Sequence, residues 1–452
     1  MKNGSNARGV VGAIFSALLA FGAMTRPAVA ADSYTFTLDS AVSEAIRTSD
    51  DLAIAAKQVE IDRRQAGIDG SRALPTLNAN AAATHYDGAS TVSLSSAGPQ
   101  IELLPNHSED LWLAVALPLD ITGQVSASVR QARIQTAIDE LAVRQKQIAI
   151  VLRVRRVYYD VLRAEHRVTV SQSALDSAMA QQTLAAKLVA QEMGQKIDLH
   201  RADTQVAVAQ QDLMQAQVGL DIARQVFNDL VGRPLADDVN LDDTSEASLA
   251  APLASTIDPA ELSKDLDRAH MDRPDLLAAD LARRAAKIGV KLARTGLDPT
   301  VSLNASAHYL PTTSFMMPRD RTADVTLMLN VPLYDGGATH DRVAAAKASE
   351  EQASISLDKA TRTADLAVRQ AYCNLASAAG QIGAADTALT EATAARRLAQ
   401  TRYEGQVGIY LEVTDSQSAL VTAQNNQINA VYDYLIAGAQ LEYEIGGAEI
   451  SK

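Results

Sequence analysis

The sequence predicts a mixed α and transmembrane β chain, built as two tandem repeats in which short amphipathic strands continue into hairpins of very long helices. Three observations carry that prediction. The chain repeats itself at a nearly constant offset, it contains segments of about ten residues that alternate apolar and less apolar side chains, and it runs for ~70 residues without proline in a pattern that helices tolerate.

The repeat comes first because a missed repeat misassigns the whole fold. Asp51-Leu52 through Leu74-Pro75-Thr76-Leu77-Asn78 corresponds to Asp275-Leu276 through Asp298-Pro299-Thr300-Val301-Ser302, 224 positions later. Leu117-Pro118-Leu119 and Gly123 correspond to Val331-Pro332-Leu333 and Gly337 at an offset of 214, as do Arg155 and Tyr158 to Arg369 and Tyr372. Beyond the helical turns, Ala202-Asp203-Thr204-Gln205 resembles Thr414-Asp415-Ser416-Gln417 at an offset of 212, which makes the second turn two residues shorter than the first.

Residues 1–30 read as a secretory signal: Lys2 and Arg8 precede an apolar run that is too short to span a bilayer, and Ala28-Val29-Ala30 offers a cleavage site. The first repeat then covers 31–231, with a helix, a strand pair at about 76–119 and a helical hairpin at about 123–231. A segment rich in Asp, Ser and Pro at 232–272 links it to the second, with one short helix near Pro259 to Ala269. The second repeat, 273–447, has its strand pair at about 300–333 and its hairpin at about 337–445, leaving a tail at 448–452.

In the strands, Val325, Leu327, Leu329, Val331 and Leu333 alternate with Asp324, Thr326, Met328 and Asn330, and Leu111, Leu113, Val115 and Leu117 alternate with Trp112, Ala114 and Ala116. Ten residues is the length of a tilted membrane strand, although a half-buried sheet of a soluble protein gives the same alternation. In the helices, Ile150, Val154, Val157, Val161, Ala164, Val168, Leu175 and Ala178, with Ser171 among them, step by four and three. Ala364, Val368, Ala371, Leu375, Ala378, Ile382, Ala385 and Leu389 repeat the seam. A spacing averaging 3.5 marks a coiled-coil interface, and alternation with alanine lets helices approach closely. Val206, Ala209, Leu213, Ala216, Leu220, Ala223, Phe227 and Leu230 supply the returning stripe.

Four strands do not close a barrel, and an open edge facing lipid leaves backbone groups unsatisfied. Strands from several copies must therefore combine. Two chains give eight strands, whose interior side chains fill, and three give twelve, which leaves room for a pore; geometry prefers three without requiring it.

Composition excludes other classes. The formal charge is −13, and more negative once the basic signal is removed, so nucleic acid is not an expected partner. The seven histidines fall into no metal-ligand spacing, and no phosphate-cradling glycine loop or nucleophile elbow occurs, so neither catalysis nor a cofactor is expected. Met316-Met317 beside Phe315 reads as loop packing and the lone Cys373 as a buried structural thiol.

With the opening Leu38-Asp39 to Ala45 helix, the twin Leu-Pro-Thr-Leu and Asp-Pro-Thr-Val strand starts, and the Val-Pro-Leu-Tyr-Asp-Gly-Gly exit at 331–337, the chain resembles the TolC-like outer-membrane efflux proteins over essentially its whole mature length. That resemblance implies a homotrimer in the outer membrane whose shared twelve-stranded barrel continues into a periplasmic α-helical barrel. Its implied partners are outer-membrane lipid, a periplasmic adaptor and an inner-membrane pump, and its implied role is passive export within an efflux or type I secretion system. The helical tips Met193-Gly194-Gln195 and Val407-Gly408-Ile409 resemble adaptor-docking turns, the second more closely; glycine in each is expected to supply a left-handed backbone. Asp198, Glu412 and Asp415 resemble an acidic gate, stacked rings that attract cations if they face the axis. Arg402 and Tyr403, one turn before the second tip, are expected to support its closed state. The alternative from a different class is a soluble periplasmic coiled-coil scaffold or adaptor, which shares the helices but not the paired ten-residue strands.

Overall fold

The computed structural model describes residues 35–88, 90–93, 100–104, 106–243, 258–311 and 319–447. The expected signal, Phe315 to Met317, residues 244–257 of the linker and the C-terminal tail lie outside these residues. The chain opens with a short strand β1 (Thr35–Phe36) and helix α1 (Leu38–Thr48). Thr37 caps α1 reciprocally with Ser40, each side-chain oxygen accepting the other's backbone N–H at 3.3 and 2.9 Å. Ser49 then caps α2 (Asp50–Ser71).

The first repeat continues with β2 (Thr76–His85), a small hairpin of β3 (Ser90–Ser93) and β4 (Gln100–Leu104) that sequence reasoning did not foresee, and β5 (His107–Leu119). It ends in α3 (Gln124–Ala190), α4 (Lys196–Leu230) and β6 (Asn240–Leu241). After the linker come α5 (Pro259–Asp272), at the expected place, then α6 (Pro274–Arg294), β7 (Thr300–Tyr309), β8 (Arg321–Asn330), α7 (Ala338–Glu404) and α8 (Tyr410–Ile445). The last strand stops at Asn330 rather than near Leu333. Pro332 has no N–H to give to a ladder, and Leu333 lies almost fully exposed beyond it.

The two long helices have the same length, 67 residues, or ~100 Å at 1.5 Å per residue. Each begins on a left-handed glycine, Gly123 and Gly337, after an aspartate that ties down the first turn. Asp120 accepts the N–H groups of Val125 and Ser126 at 3.1 and 3.0 Å, and Asp335 accepts those of Gly337 and Thr339 at 3.2 and 2.7 Å. The Thr339 hydroxyl and these amides hold the Asp335 carboxyl below its usual pKa range.

The predicted seams are buried. Val154, Val161, Leu175 and Ala178 on α3 and Ala364, Val368, Ala371, Ala378, Ile382 and Ala385 on α7 line the core, with Val206, Ala209 and Phe227 on the returning α4. Cys373 departs from expectation: it is exposed on this chain. Each long helix is flanked by two shorter ones laid end to end, α2 and α4 along α3, α6 and α8 along α7, and α3 also packs on α6 and α8. At mid-length β1 and β6 pair in parallel, and the buried Tyr158 hydroxyl lies 3.0 and 2.7 Å from the carbonyl oxygens of Phe36 and Asp242.

The four long strands form one antiparallel sheet in the order β2-β5-β7-β8. Its register sorts the side chains. Leu77, Val115, Ala305 and Val325 stand in one row across the sheet; Leu303 and Leu327 lie beside Leu117 on the same face. The opposite face carries Asn80, Trp112, His308 and Thr322 in one row, and Ser306 and Asp324 in another. On that polar face His308 pairs with Asp110 at 3.1 Å and stacks on Trp112, while Ser306 hydrogen-bonds Asp324.

A matched pair of close contacts sets the end of each returning helix against the end of an earlier one, α4 against α1 and α8 against α5. Gly232, at φ +71° after α4, leaves no room for a Cβ, which would lie 2.8 Å from Cβ of Thr48; Gly446, at φ +113° after α8, would meet the Asp272 carbonyl carbon at 3.0 Å. Both positions demand a left-handed backbone and a hydrogen in place of a side chain. Gly232→Ala and Gly446→Ala should each destabilise the protein by roughly 1–3 kcal/mol. Gly383→Ala, inside α7 with nothing within 4 Å, should stabilise it by roughly 0.5–1 kcal/mol. Thermal unfolding followed at the helical dichroism band in detergent separates the three.

Candidate functional site at the hairpin tips

The turn from α3 to α4 spans 191–195 and that from α7 to α8 spans 405–409, so the two tips are equal in length and the offset of 214 holds through both. The expected two-residue difference and the offset of 212 are thereby corrected. Asp198 then matches Glu412, but Asp415 matches Arg201, so the second acidic position has a cation as its counterpart.

The turn chemistry also differs from expectation. The left-handed residues are Glu192 (φ 59°) and Gln406 (φ 58°), not the glycines. In each turn two consecutive N–H groups converge on one helix carbonyl: Met193 and Gly194 on Leu188 at 2.9 and 3.0 Å, Val407 and Gly408 on Arg402 at 2.9 and 3.0 Å. With Glu192 bonding back to Val189 and Gln406 to Tyr403, both ends have the hydrogen-bond pattern of a Schellman cap. The glycines matter for proximity. A Cβ on Gly194 would lie 2.9 Å from Cβ of Leu188, and one on Gly408 would lie 3.0 Å from Cβ of Arg402 and 3.2 Å from Oε2 of Glu412.

Asp198 and Glu412 occupy the first turns of α4 and α8, where a carboxylate meets the positive end of the helix dipole. Asp198 is largely covered, 3.8 Å from Arg201; Glu412 is half exposed, 3.6 Å from Arg402 across its own turn; Asp415 is exposed one turn further on. Such half-exposed pairs contribute little to stability. Around them Met193, Gln195 and Ile409 are exposed, and Val407 is 76% exposed at the end of the second tip.

Behind the carboxylates the two hairpins share a small core of Ala185, Ala202, Ala399 and Val413 with Tyr403 and Tyr410, whose rings meet edge to face at 5.5 Å. Tyr403 therefore sits buried within the chain. Tyr410 was not among the residues singled out from sequence; its signal was an aromatic opening α8 directly after an apolar turn, seven residues beyond Tyr403. Below the pair, buried Arg396 donates to Gln417 at 2.6 Å and Gln400 at 2.5 Å, and burial lowers its pKa. Among the described residues no cluster of three potential metal ligands occurs, and no helix is long and apolar enough to cross a membrane.

The described residues thus form an elongated protein: an antiparallel sheet with one apolar face beside helices ~100 Å long that end in polar and apolar tips. The model of the outer membrane efflux protein family matches residues 41–233 and 266–447, and the chain belongs to that family. It is accordingly a non-enzymatic transport protein of the outer membrane that extends into the periplasm. It is 24% identical over 407 residues to the solvent efflux pump outer membrane protein SrpC of Pseudomonas putida, covering 89% of this chain and 83% of that protein. It is 25% identical over 336 residues to the outer membrane protein TolC of Vibrio cholerae, 71% and 73% of the two chains. A crystal structure of CusC aligns with a TM-score of 0.78 at 20% identity over 91% of this chain and 92% of that one, a likeness of fold.

Burial, then Tyr403, then the charge of Asp198 push the Tyr410 phenol up to about 12, against an ordinary value of 10.0. A phenol whose folded pKa is raised contributes stability that is complete below the unfolded pKa and lost as pH rises through the folded one. Wild type should therefore lose stability between about pH 10 and 12 more steeply than Tyr410→Phe, as read from denaturant midpoints across that window.

Proposed function

We propose that this chain is one third of an outer-membrane channel-tunnel, a homotrimer that exports substrate passively as part of an efflux or type I secretion system. The observation that carries this reading is the four-stranded sheet with one apolar face, one polar face and two edges, β2 and β8, that are unpaired among the described residues. Edges exposed to lipid are too costly to leave open, and three copies joined edge to edge make twelve strands around a water-filled lumen lined by Asn80, Ser306 and His308. A periplasmic scaffold has no use for an apolar face of membrane length, which disfavours that alternative. The two tandem repeats then supply six similar hairpins to a continuous helical barrel below the membrane.

The tips serve two purposes in this reading. Met193, Gly194 and Gln195 with Val407, Gly408 and Ile409 dock a periplasmic adaptor, and an inner-membrane pump supplies the energy. The tight glycines and exposed Val407 and Ile409 support the assignment: they make a rigid apolar knob at the far end of the molecule. Asp198, Glu412 and Asp415 form the acidic gate, with Arg402 partly neutralising Glu412. Tyr403 supports the closed state by packing between hairpins of its own chain, together with Tyr410.

The test is single-channel conductance of the purified trimer in planar bilayers. Wild type should give a small, cation-preferring conductance that divalent cations block at the acidic ring, and a Glu412→Ala, Asp415→Ala variant should lose the block and most of the cation preference. A protein that neither inserts nor trimerises overturns the channel reading; an unchanged block in the variant overturns the gate assignment alone.

A further inference from the structure

The middle of α3 carries a run of charge that neither the sheet nor the tips use. Arg153, Arg156, Asp160, Arg163 and Arg167 step by three and four, so they share one face of the helix over ~21 Å. Half a turn away, Val154, Tyr158, Val161 and Leu162 are buried in the core beneath α1 and β1. Across the seam α8 supplies two partners: Arg163 pairs with Asp433 at 2.7 Å, and Arg156 donates to the amide oxygen of Gln440. Arg153 and Arg167 are exposed and make no hydrogen bond or ion pair among the described residues. Four guanidinium groups thus stand against two carboxylates, and burial raises the pKa of one of these, Asp160, even with Arg163 and Arg156 beside it.

The second repeat lacks the stripe. Its counterparts 214 residues on are Ala367, Gln370, Asn374, Ser377 and Gln381, none of them charged. The two long helices have the same length and corresponding buried seams, so packing does not require the arginines. Nor do they extend a generally basic surface, since the chain as a whole has a formal charge of −13.

Resting on the oligomer proposed above, the direction of the stripe follows from the need for an open bore. The short elements α1 and β1 cover one side of the helical layer, and a duct stays clear only if they lie outside it, which leaves the opposite face of α3 on the lumen. Three copies then repeat the stripe around the bore, where charge of one sign between low-dielectric walls concentrates counter-ions. We infer that this arginine collar is a transit site for small organic anions, with Arg153 and Arg167 taking up the carboxylate, sulfonate or phosphate groups of solutes on their way out. Their planar guanidinium forks match such groups, and no partner within the chain has to be displaced first. Arg167 lies ~35 Å before the end of α3 at Ala190, several Debye lengths at ~0.1 M salt, so the collar and the proposed acidic gate act on ions separately. The gate discriminates while it is narrow; the collar holds anions that have passed it once it opens.

The test uses full-length protein in detergent and pyranine, a trisulfonated fluorescent dye, as the anion. Trimers should raise the dye's anisotropy at low salt. Arg153→Gln combined with Arg167→Gln should weaken binding on the order of tenfold, whereas Arg153→Lys combined with Arg167→Lys should retain it. Dissociated monomers should bind far more weakly than trimers, because a single stripe lacks the field of the closed ring. Trimers of the glutamine variant that bind the dye as wild type does overturn the inference, and so do monomers that bind as tightly as trimers. Either result leaves the channel reading untouched, which potassium chloride conductance of the same wild-type trimers checks. A chain that stays monomeric removes both together.

Discussion

The hydrocarbon core of a membrane offers no partner to a backbone amide, and most of this architecture follows from that constraint. Two strand edges, β2 and β8, lack neighbours among the described residues, while the register between them segregates leucine and valine to one face and asparagine, serine and histidine to the other. A sheet of this kind is stable in lipid only when its edges are paired. In the proposed oligomer it is carried by something that brings copies together in a fixed order, and the long helices are suited to that because their seams run for many turns.

Rigidity over ~100 Å is the second requirement, and single helices of that length bend. The chain meets it by splinting each long helix with two shorter ones and by pinning the ends where those shorter helices meet. Gly232 against Thr48 and Gly446 against Asp272 are equivalent pins, and in the second repeat Arg273 adds a buried fork onto Asp275 at 2.9 Å and Glu444 at 2.8 Å. Breaking one partner of such a buried set leaves an uncompensated charge, which makes the junction directional and specific as well as stable.

Much of this was legible in the sequence because periodicity is a repeated signal: twenty-four apolar seam positions and two strand pairs each support the same assignment. The helix of ~70 residues after Gly123 and the α5 helix after Pro259 came out as expected. What was not legible depends on single residues or on three-dimensional neighbours. Glycines at the tips suggested left-handed backbone, yet the strained conformation fell on Glu192 and Gln406, because the constraint at Gly194 and Gly408 is the space beside the preceding helix. The offset of 212 came from matching Asp203 to Asp415 by residue type. Helix boundaries show instead that an aspartate and an arginine share the equivalent place. Tyr410 and Arg396 escaped notice because their role lies in contacts between hairpins, which no local pattern encodes.

The departures from repeat symmetry at the tips have a direction. Backbone, turn length and the first-turn carboxylate are the same in both hairpins, so the framework itself does not distinguish them. The side chains do: Lys196 and Arg201 in the first repeat stand where the second has Tyr410 and Asp415, and Gln195 stands where the second has Ile409. One hairpin thus presents a polar, partly cationic end and the other an apolar, acidic one. In the ring of six hairpins proposed above, this alternation would reduce sixfold equivalence to threefold, so that the proposed adaptor, or an ion, would meet two kinds of site at the tips. A symmetric framework with asymmetric ends is what a tunnel needs if its mouth is to recognise.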